Sequence, residues 1–255
     1  MKTGLYYFSA TGNCLTTAKI LAEELPNDCD IISFASLKNK DQINVDYQQI
    51  GFIFPIYYGD MPYLVRQVIE KMNFNNNPYV FLVATYRGHP GDIGKRLDDL
   101  LKTRKAALSL NVGVSMPGNS YLSTKEEMDE ALHNQRKNIQ GLISKIVNQE
   151  KEDFSKLASV EPSVVGLKAY NMRGIKADDK CIGCGICTRV CPMDNIKVEN
   201  NHAIIGDNCI TCLACFHWCP KEAIYMSKEK DIERRFKYHH PDVTLQDIIA
   251  QKKTD

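Results

Sequence analysis

The chain has 255 residues, 44% of them hydrophobic and 25% charged, which excludes a disordered or fibrous protein and allows one large domain or two smaller ones. The formal net charge of +1 argues against a general binder of nucleic acid or another polyanion. No apolar run is long enough to span a membrane, and strand-like sequence from Gly4 leaves no room for a signal peptide.

Residues 4–8, GLYYF, form a short apolar run of strand type. SATGNC follows at 9–14, and then a helical pattern over 15–25 that places Leu15, Ala18, Ile20, Leu21, Ala22 and Leu25 on one face until Pro26 and Asn27 stop it. The next strand is expected at 30–34, and 35–48 reads as a polar connection with a short helix at most. IGFIFP at 50–55 is a continuous apolar run, as in a central parallel strand. A helix over 63–72, a strand at 79–84, a helix over 93–108, a strand at 109–115 and a long helix over 125–148 complete the series. Five strands alternating with helices predict a doubly wound α/β fold, a parallel sheet covered on both faces.

Three loops leave the carboxyl ends of strands and carry the chemistry: 9–14, 55–62 and 85–92. The first joins a strand to a helix around one glycine, an arrangement that cradles phosphate on backbone amides at the positive end of a helix. Ser9 and Thr11 add hydroxyl donors, and Gly12 permits a left-handed backbone. Neither the Walker pattern nor G-x-G-x-x-G is present. SATGN resembles the T-x-T-G-N loop of flavodoxins, which binds the 5′-phosphate of FMN; an ordinary capped helix is the alternative. Cys14 departs from that pattern, since flavodoxins usually place Thr or Ser there. The resemblance implies a five-stranded sheet of order 2-1-3-4-5 with FMN at the switch point between strands one and three. It implies cofactor contacts from Ser9, Thr11, Gly12, Asn13 and Cys14, and from Pro55 and Ile56. Tyr57 and Tyr58 are candidates to flank the ring, with Gly59 giving backbone access to its edge. Tyr86 is a candidate from the third loop, and Thr85, Arg87, Gly88 and Gly91 are further contacts. Simple packing competes for each tyrosine. MPGNSY at 116–121 follows strand five, and its Asn119 and Tyr121 border either the ring or the cysteine-rich module.

The flavodoxin-like part is taken as 1–150, followed by an aperiodic connector at 151–176. Residues 177–228 hold eight of the ten cysteines in two copies of C-x-x-C-x-x-C-x-x-x-C-P. This is the run with which bacterial two-cluster ferredoxins hold iron–sulfur cubanes: three cysteines curl around one cluster and the fourth ligates the other. Cys181, Cys184 and Cys187 with Cys219 are therefore the candidate ligands of cluster one, and Cys209, Cys212 and Cys215 with Cys191 those of cluster two. Gly183 and Gly185 allow the backbone to approach the first cluster. The copies also match at Ile182 and Ile210, at Pro192 and Pro220, and at Ile196 and Ile224, which predicts a pseudo-symmetric repeat of loop, short helix and strand. Structural zinc favours other spacings, and disulfides belong to oxidising compartments. HAIIGDN at 202–208 reads as a strand and turn joining the copies. His202, His217 and Trp218 read as packing or surface residues, Arg189 and Lys221 as solvated charges with tuning of the cluster potential as the alternative, and Cys14 and Cys29 as spare packing thiols. In the tail, 229–255, Thr244 and Asp247 fit a capping box before a short helix. His239 and His240, adjacent on a turn before Pro241, lack the ligand pairs of a metal site.

Over nearly its full length the chain resembles the flavodoxin–bacterial ferredoxin fusion proteins of anaerobic microbes. The resemblance implies a flavodoxin-like sheet domain followed by a small α+β ferredoxin domain, with FMN and two [4Fe–4S] clusters as cofactors. It implies electron transfer between the flavin and the clusters, coupling one- and two-electron redox partner proteins, in the reducing cytoplasm. Two alternatives stand beside it. One is a flavin-dependent reductase of a small-molecule acceptor fed by the clusters; the other is a cluster-only ferredoxin with a flavin-free docking domain. No nicotinamide fingerprint is present.

Overall fold

In the computed structural model of the chain, residues 2–119, 123–168, 171–228 and 237–253 are described. The apolar runs become β1 (Thr3–Tyr7), β2 (Cys29–Ser33), β4 (Gln49–Pro55), β6 (Tyr79–Tyr86) and β7 (Leu110–Ser115) of one sheet, ordered β2-β1-β4-β6-β7. Every pair in it is parallel, with Leu5 beside both Ile31 and Gly51, and Ile53 beside Val83. β4 and β6 are apolar without alternation because helices cover both faces of the sheet. The helices are α1 (Asn13–Glu24), α2 (Phe34–Leu37), α3 (Tyr63–Ile69), α4 (Ile93–Thr103) and α5 (Lys125–Val147). Phe8, Phe34, Phe52, Phe54 and Phe81 are fully buried and fill the interior. The doubly wound fold expected from the sequence is the one observed.

Several boundaries differ from expectation. The connection 35–48 contains a strand, β3 (Ile43–Val45), which pairs in parallel with β5 (Met72–Phe74). Both are three residues long with a polar centre, INV and MNF, too short to show a two-residue period. The helix expected over 63–72 ends at Ile69 because the chain is needed for β5. The strand expected at 79–84 runs on to Tyr86, which carries two residues of the third loop into the sheet. The helix expected to reach 108 stops at Thr103, and Lys105 turns the chain with a φ of 59°.

The connector forms one 3₁₀ turn at Phe154–Lys156, α6 (Val164–Lys168) and β8 (Ile175–Ala177). Asp60, in the turn after β4, is fully buried and pins it. One carboxylate oxygen accepts from the Ser163 amide at 2.7 Å and faces Arg96 at 3.4 Å; the other accepts from the Met61 amide at 2.7 Å. Arg96 also donates to the Glu161 carbonyl.

The two cassettes give α7 (Ile186–Val190), β9 (Ile196–Glu199), β10 (His202–Ile205), α8 (Ala214–His217) and β11 (Ile224–Met226). β9 pairs with β10, and β11 returns to pair antiparallel with β8, so the connector's last strand is part of the cysteine-rich sheet. The tail ends in α9 (Leu245–Ala250), where Thr244 and Asp247 make the expected capping box. Val190, Ile210, Cys212 and Ala214, with Val243 and Ile248 of the tail, belong to the same continuous buried cluster as the large sheet. The modules are joined through core, not through a linker.

Candidate functional site

Parallel strands put the carboxyl ends of β1, β4, β6 and β7 at one edge, and the loops leaving them line a hollow with about 370 Å³ of empty space. Ser9, Thr11, Asn13 and Cys14 enter it from the first loop, Pro55, Ile56 and Tyr57 from the second, Thr85, Tyr86 and Arg87 from the third. Residues 116–119 close it from the end of β7. Gly12, Gly59, Gly88 and Gly91 stand outside it. Gly12 has a φ of 104°, and a Cβ there would lie 2.9 Å from the Cβ atoms of His240 and Val243. The close approach that requires this glycine is therefore by the tail. Gly59 belongs to a tight turn in which Tyr57 and Asp60 exchange backbone bonds of 2.9 and 3.0 Å, with Tyr58 and Gly59 both left-handed. Gly88 lines a neighbouring open groove with Glu127, and Gly91 is exposed.

The side chains of the first loop are committed in detail. Ser9 Oγ accepts from the Gly12 amide at 2.9 Å, which leaves its hydroxyl hydrogen to donate elsewhere. Asn13 donates to the Pro117 carbonyl at 3.0 Å and accepts from the Tyr238 hydroxyl at 2.5 Å. Cys14 Sγ lies 3.1 Å from Thr85 Oγ1 and ties the first loop to β6. Burial pushes its thiol up to about 12.

The two tyrosines expected to flank a ring together have different surroundings. Tyr57 is buried, its hydroxyl accepts from Asn119 Nδ2 at 3.1 Å, and burial, with Cys212 and Cys14 nearby, pushes its phenol well above the usual range. Tyr58 is 46% exposed and lies under the Arg173 guanidinium, 5.2 Å from its ring centroid. The Tyr86 ring packs on Gly113 of β7, where a Cβ would lie 2.4 Å from Tyr86 Cε1. Arg87 pairs with Glu127 at 3.1 Å. Tyr58 lines a second hollow, of about 450 Å³, that shares Ile56, Tyr57, Arg87, Gly118 and Asn119 with the first and adds Arg173 and Thr211. Tyr121 lies outside the described residues.

The cysteines form two groups. Cys181, Cys184, Cys187 and Cys219 line one hollow of about 350 Å³. Burial pushes the Cys187 thiol up to about 11, and the thiols that add to this are Cys181, Cys184 and Cys219. Burial likewise pushes Cys215 well up, with Cys212, Cys191, Cys209 and then Cys187 adding to it, which sets the second group beside the first. Buried thiols of this kind keep their protons until a metal takes their place. Backbone amides at 3.3–3.4 Å donate to the sulfurs of Cys191, Cys209 and Cys219. Among the described residues no three or more His, Cys, Asp or Glu side chains converge as on a single ion.

Both cassettes bend the same way with different residues. Gly183 and Gly185 have φ of 68° and 73°, and their equivalents Thr211 and Leu213 have φ of 59° and 63°. The second loop therefore holds a left-handed β-branched residue, a strained state usually kept only where the surroundings require it.

Residues 5–142, more than half of the chain, match the family described as Flavodoxin domain. The chain belongs to that family. Residues 180–224 match the 4Fe-4S dicluster domain family, so the whole is a flavodoxin–ferredoxin fusion and a redox protein. Among solved structures the flavodoxin domain is similar to a putative flavoprotein from Bacteroides uniformis, at 17% identity over 56% of this chain and 97% of that one, with a TM-score of 0.41. It is also similar to two-electron reduced flavodoxin from Megasphaera elsdenii, at 15% identity over 56% of this chain and 98% of that one, with a TM-score of 0.38. No curated protein matches the chain. No helix among the described residues is long and apolar enough to cross a membrane.

The second ferredoxin cassette docks directly on the flavodoxin loops. Asn119 Nδ2 donates to the Cys212 carbonyl at 2.8 Å as well as to Tyr57. His217, read from sequence as packing or surface, is a bridge. Its Nδ1 accepts from the Tyr238 amide at 3.0 Å, so Nε2 carries the hydrogen and donates to the Asn119 carbonyl at 2.8 Å. Burial holds this imidazole down to about 4. Trp218 donates to the Ala10 carbonyl at 3.0 Å and stacks on His239 at 4.4 Å. His240 sits inside, bonded to Gln135 at 2.8 Å, and its amide donates to the Thr11 carbonyl. The tail thus seals the outer side of the phosphate-type loop. Sequence reasoning missed Arg173, Thr211, Gln135 and Tyr238. Aligning the two cassettes, which sets Thr211 over Gly183, is the signal that singles out Thr211.

Proposed function

We propose that the chain is an electron-transfer protein that passes electrons within one molecule between FMN and two [4Fe–4S] clusters. The observation that carries this reading is the shared wall at Asn119, whose amide bonds both Tyr57 of the flavin hollow and the Cys212 backbone of the second cassette. The cofactors supply one two-electron site and two one-electron sites. The residues present fit them. Hydroxyls and amides of the first loop line a hollow continuous with an aromatic- and arginine-lined one, and eight thiols stand in two groups of four.

In this reading Ser9, Thr11 and the amides after Gly12 hold the phosphate. Ile56, Tyr57, Thr85 and Arg87 border the ring. Cys181, Cys184, Cys187 and Cys219 hold cluster one; Cys209, Cys212, Cys215 and Cys191 hold cluster two. Through Cys212, whose carbonyl is bonded by Asn119, the second cysteine group would be the one nearer the flavin hollow. His217, Trp218 and the tail exclude water and fix the distance between the modules. The working division is a flavodoxin-like domain to 150, a connector to 176 and a ferredoxin domain from 177 to 228, with β8 completing the latter's sheet. Eight thiolates need a reducing compartment, for which the cytoplasm is the natural choice.

Anaerobic purification followed by assay of iron, acid-labile sulfide and FMN tests the reading, with about eight irons and one flavin expected per chain. Iron without flavin contradicts the flavin half; zinc in place of iron contradicts the cluster half.

A further inference from the structure

The second hollow lies between parts of the chain that neither family match covers together. Ile56, Tyr57, Tyr58, Gly118 and Asn119 come from the flavodoxin loops, Thr211 from the cluster-two cassette and Arg173 from the connector. Arg173 is only 5% exposed, and it sits in a hydrogen-bonded turn. The Ile175 amide donates to Asn171 Oδ1 at 2.6 Å, the Asn171 amide donates to the Cys209 carbonyl at 3.2 Å, and Gly174 takes a φ of 62°. The turn is thus tied to the cluster-two loop while its arginine reaches over Tyr58. A guanidinium stays charged throughout the pH range of proteins, so this is a permanent positive charge on a mostly buried side chain at the wall of the hollow.

Thr211 supplies an independent observation. It is 4% exposed, strained at a φ of 59°, and its hydroxyl has no hydrogen-bond partner among the described residues. A buried, unsatisfied hydroxyl on a strained β-branched residue costs stability twice. Glycine at the equivalent place in the first cassette shows that the cluster loop needs no threonine there. Thr211 is one of the residues that line the hollow shared with the flavin loops.

We propose that Thr211 and Arg173 complete the flavin-ring site from outside the flavodoxin domain, Thr211 as a hydrogen-bonding group and Arg173 as the counter-charge of the reduced ring. The proposal rests on the FMN reading above. A flavin ring that took up two electrons and one proton here would carry one negative charge, and the Arg173 guanidinium would stand in place of a second proton.

The test uses the full chain, reconstituted anaerobically with iron, sulfide and FMN, as wild type, Thr211→Val, Arg173→Gln and Arg173→Lys. Iron content and circular dichroism establish that each variant is folded. The readouts are the FMN dissociation constants of oxidised and reduced protein and the pH dependence of the flavin midpoint potential. Thr211→Val keeps the β-branch and removes only the hydroxyl, so a purely structural threonine predicts unchanged or higher stability and unchanged flavin binding. The proposal predicts roughly three- to tenfold weaker FMN binding, the worth of one hydrogen bond. Arg173→Gln is expected to weaken the reduced complex at least tenfold more than the oxidised one, shifting the potential negative, while Arg173→Lys keeps most of the wild-type value. Wild type is expected to take up one proton per two electrons down to pH 5.5, a limit that moves upward in Arg173→Gln. Equal loss in both redox states, equal effects of Gln and Lys, or two protons per two electrons in wild type at pH 5.5 overturns the Arg173 role, and the last readout needs no variant. Unchanged binding in Thr211→Val overturns the Thr211 role. Wild-type protein that holds iron but takes up no FMN removes the underlying reading, and the proposal with it.

Discussion

Asp60 is the charge on which the placement of the connector depends, and its removal has a calculable cost. The carboxylate is fully buried and meets the Met61 and Ser163 amides at 2.7 Å each, Arg96 at 3.4 Å and Arg66 at 3.8 Å. Arg66 and Arg96 are themselves mostly buried, with side chains 9% and 15% exposed. Asp60→Ala strands both guanidinium groups and two amides, and breaking a buried pair from one side costs about 3–5 kcal/mol. For a chain of this size each kcal/mol lowers the melting temperature by roughly 2–4 °C, so a drop of roughly 6–20 °C is expected. Asp60→Asn keeps the shape and one acceptor but turns a donor either toward both Arg96 and Ser163 or toward the Met61 amide. Its cost should be about 2 kcal/mol, the range of one charge-assisted hydrogen bond. The assay is anaerobic thermal unfolding of the cofactor-loaded protein, followed by circular dichroism and flavin fluorescence. Because Ser163 is released in Asp60→Ala, flavin fluorescence in that variant should rise at a lower temperature than the loss of the sheet signal. A drop below 2 °C in Asp60→Ala, or an equal drop in the two variants, refutes this reasoning.

Three further outcomes follow from the same geometry. Cys191→Ala should remove the electron paramagnetic signature of cluster two and leave that of cluster one, although Cys191 lies in the first cassette; loss confined to cluster one shows that the ligand crossing is wrong. His217 is held neutral by burial, down to about 4 from an ordinary value of 6.5, so its contribution is complete above pH 6.5 and is lost as the pH falls toward 4. A shift of that size corresponds to about 3 kcal/mol; melting curves at pH 7 and pH 5 should diverge less in His217→Asn than in wild type, and identical divergence contradicts the assignment. Trp218→Phe keeps the stack on His239 but loses the bond to the Ala10 carbonyl, which should cost about 1 kcal/mol in thermal unfolding, and an unchanged melt shows that the bond carries no weight.

The parts legible in the sequence are those whose physics is local. Continuous apolar runs mark β4 and β6 because both faces of a parallel strand are covered, and cysteine spacing marks the cluster loops because a cube needs thiolates at short intervals along one turn. Short polar-centred strands such as β3 and β5 leave no periodic trace. The junction residues are illegible for a different reason. Asn119 reaches Cys212 across 93 residues and Gln251 reaches Ser9 across 242, and neither bond has a counterpart in local pattern. Gly12 was legible as a special backbone position, but the tail that presses on it was not. Arg173 reads in the sequence as one more connector charge, and only the turn built by Asn171 and Gly174 carries it into the hollow.

The central claim is that electrons move between the clusters and the flavin inside one molecule. Rapid one-electron reduction of the anaerobic, fully loaded protein, with cluster and flavin absorbance followed together over a range of protein concentrations, tests it most directly. Cluster reduction followed by flavin reduction at a rate independent of protein concentration is the predicted result. A flavin rate proportional to protein concentration, or a flavin that stays oxidised while both clusters are reduced, contradicts the account.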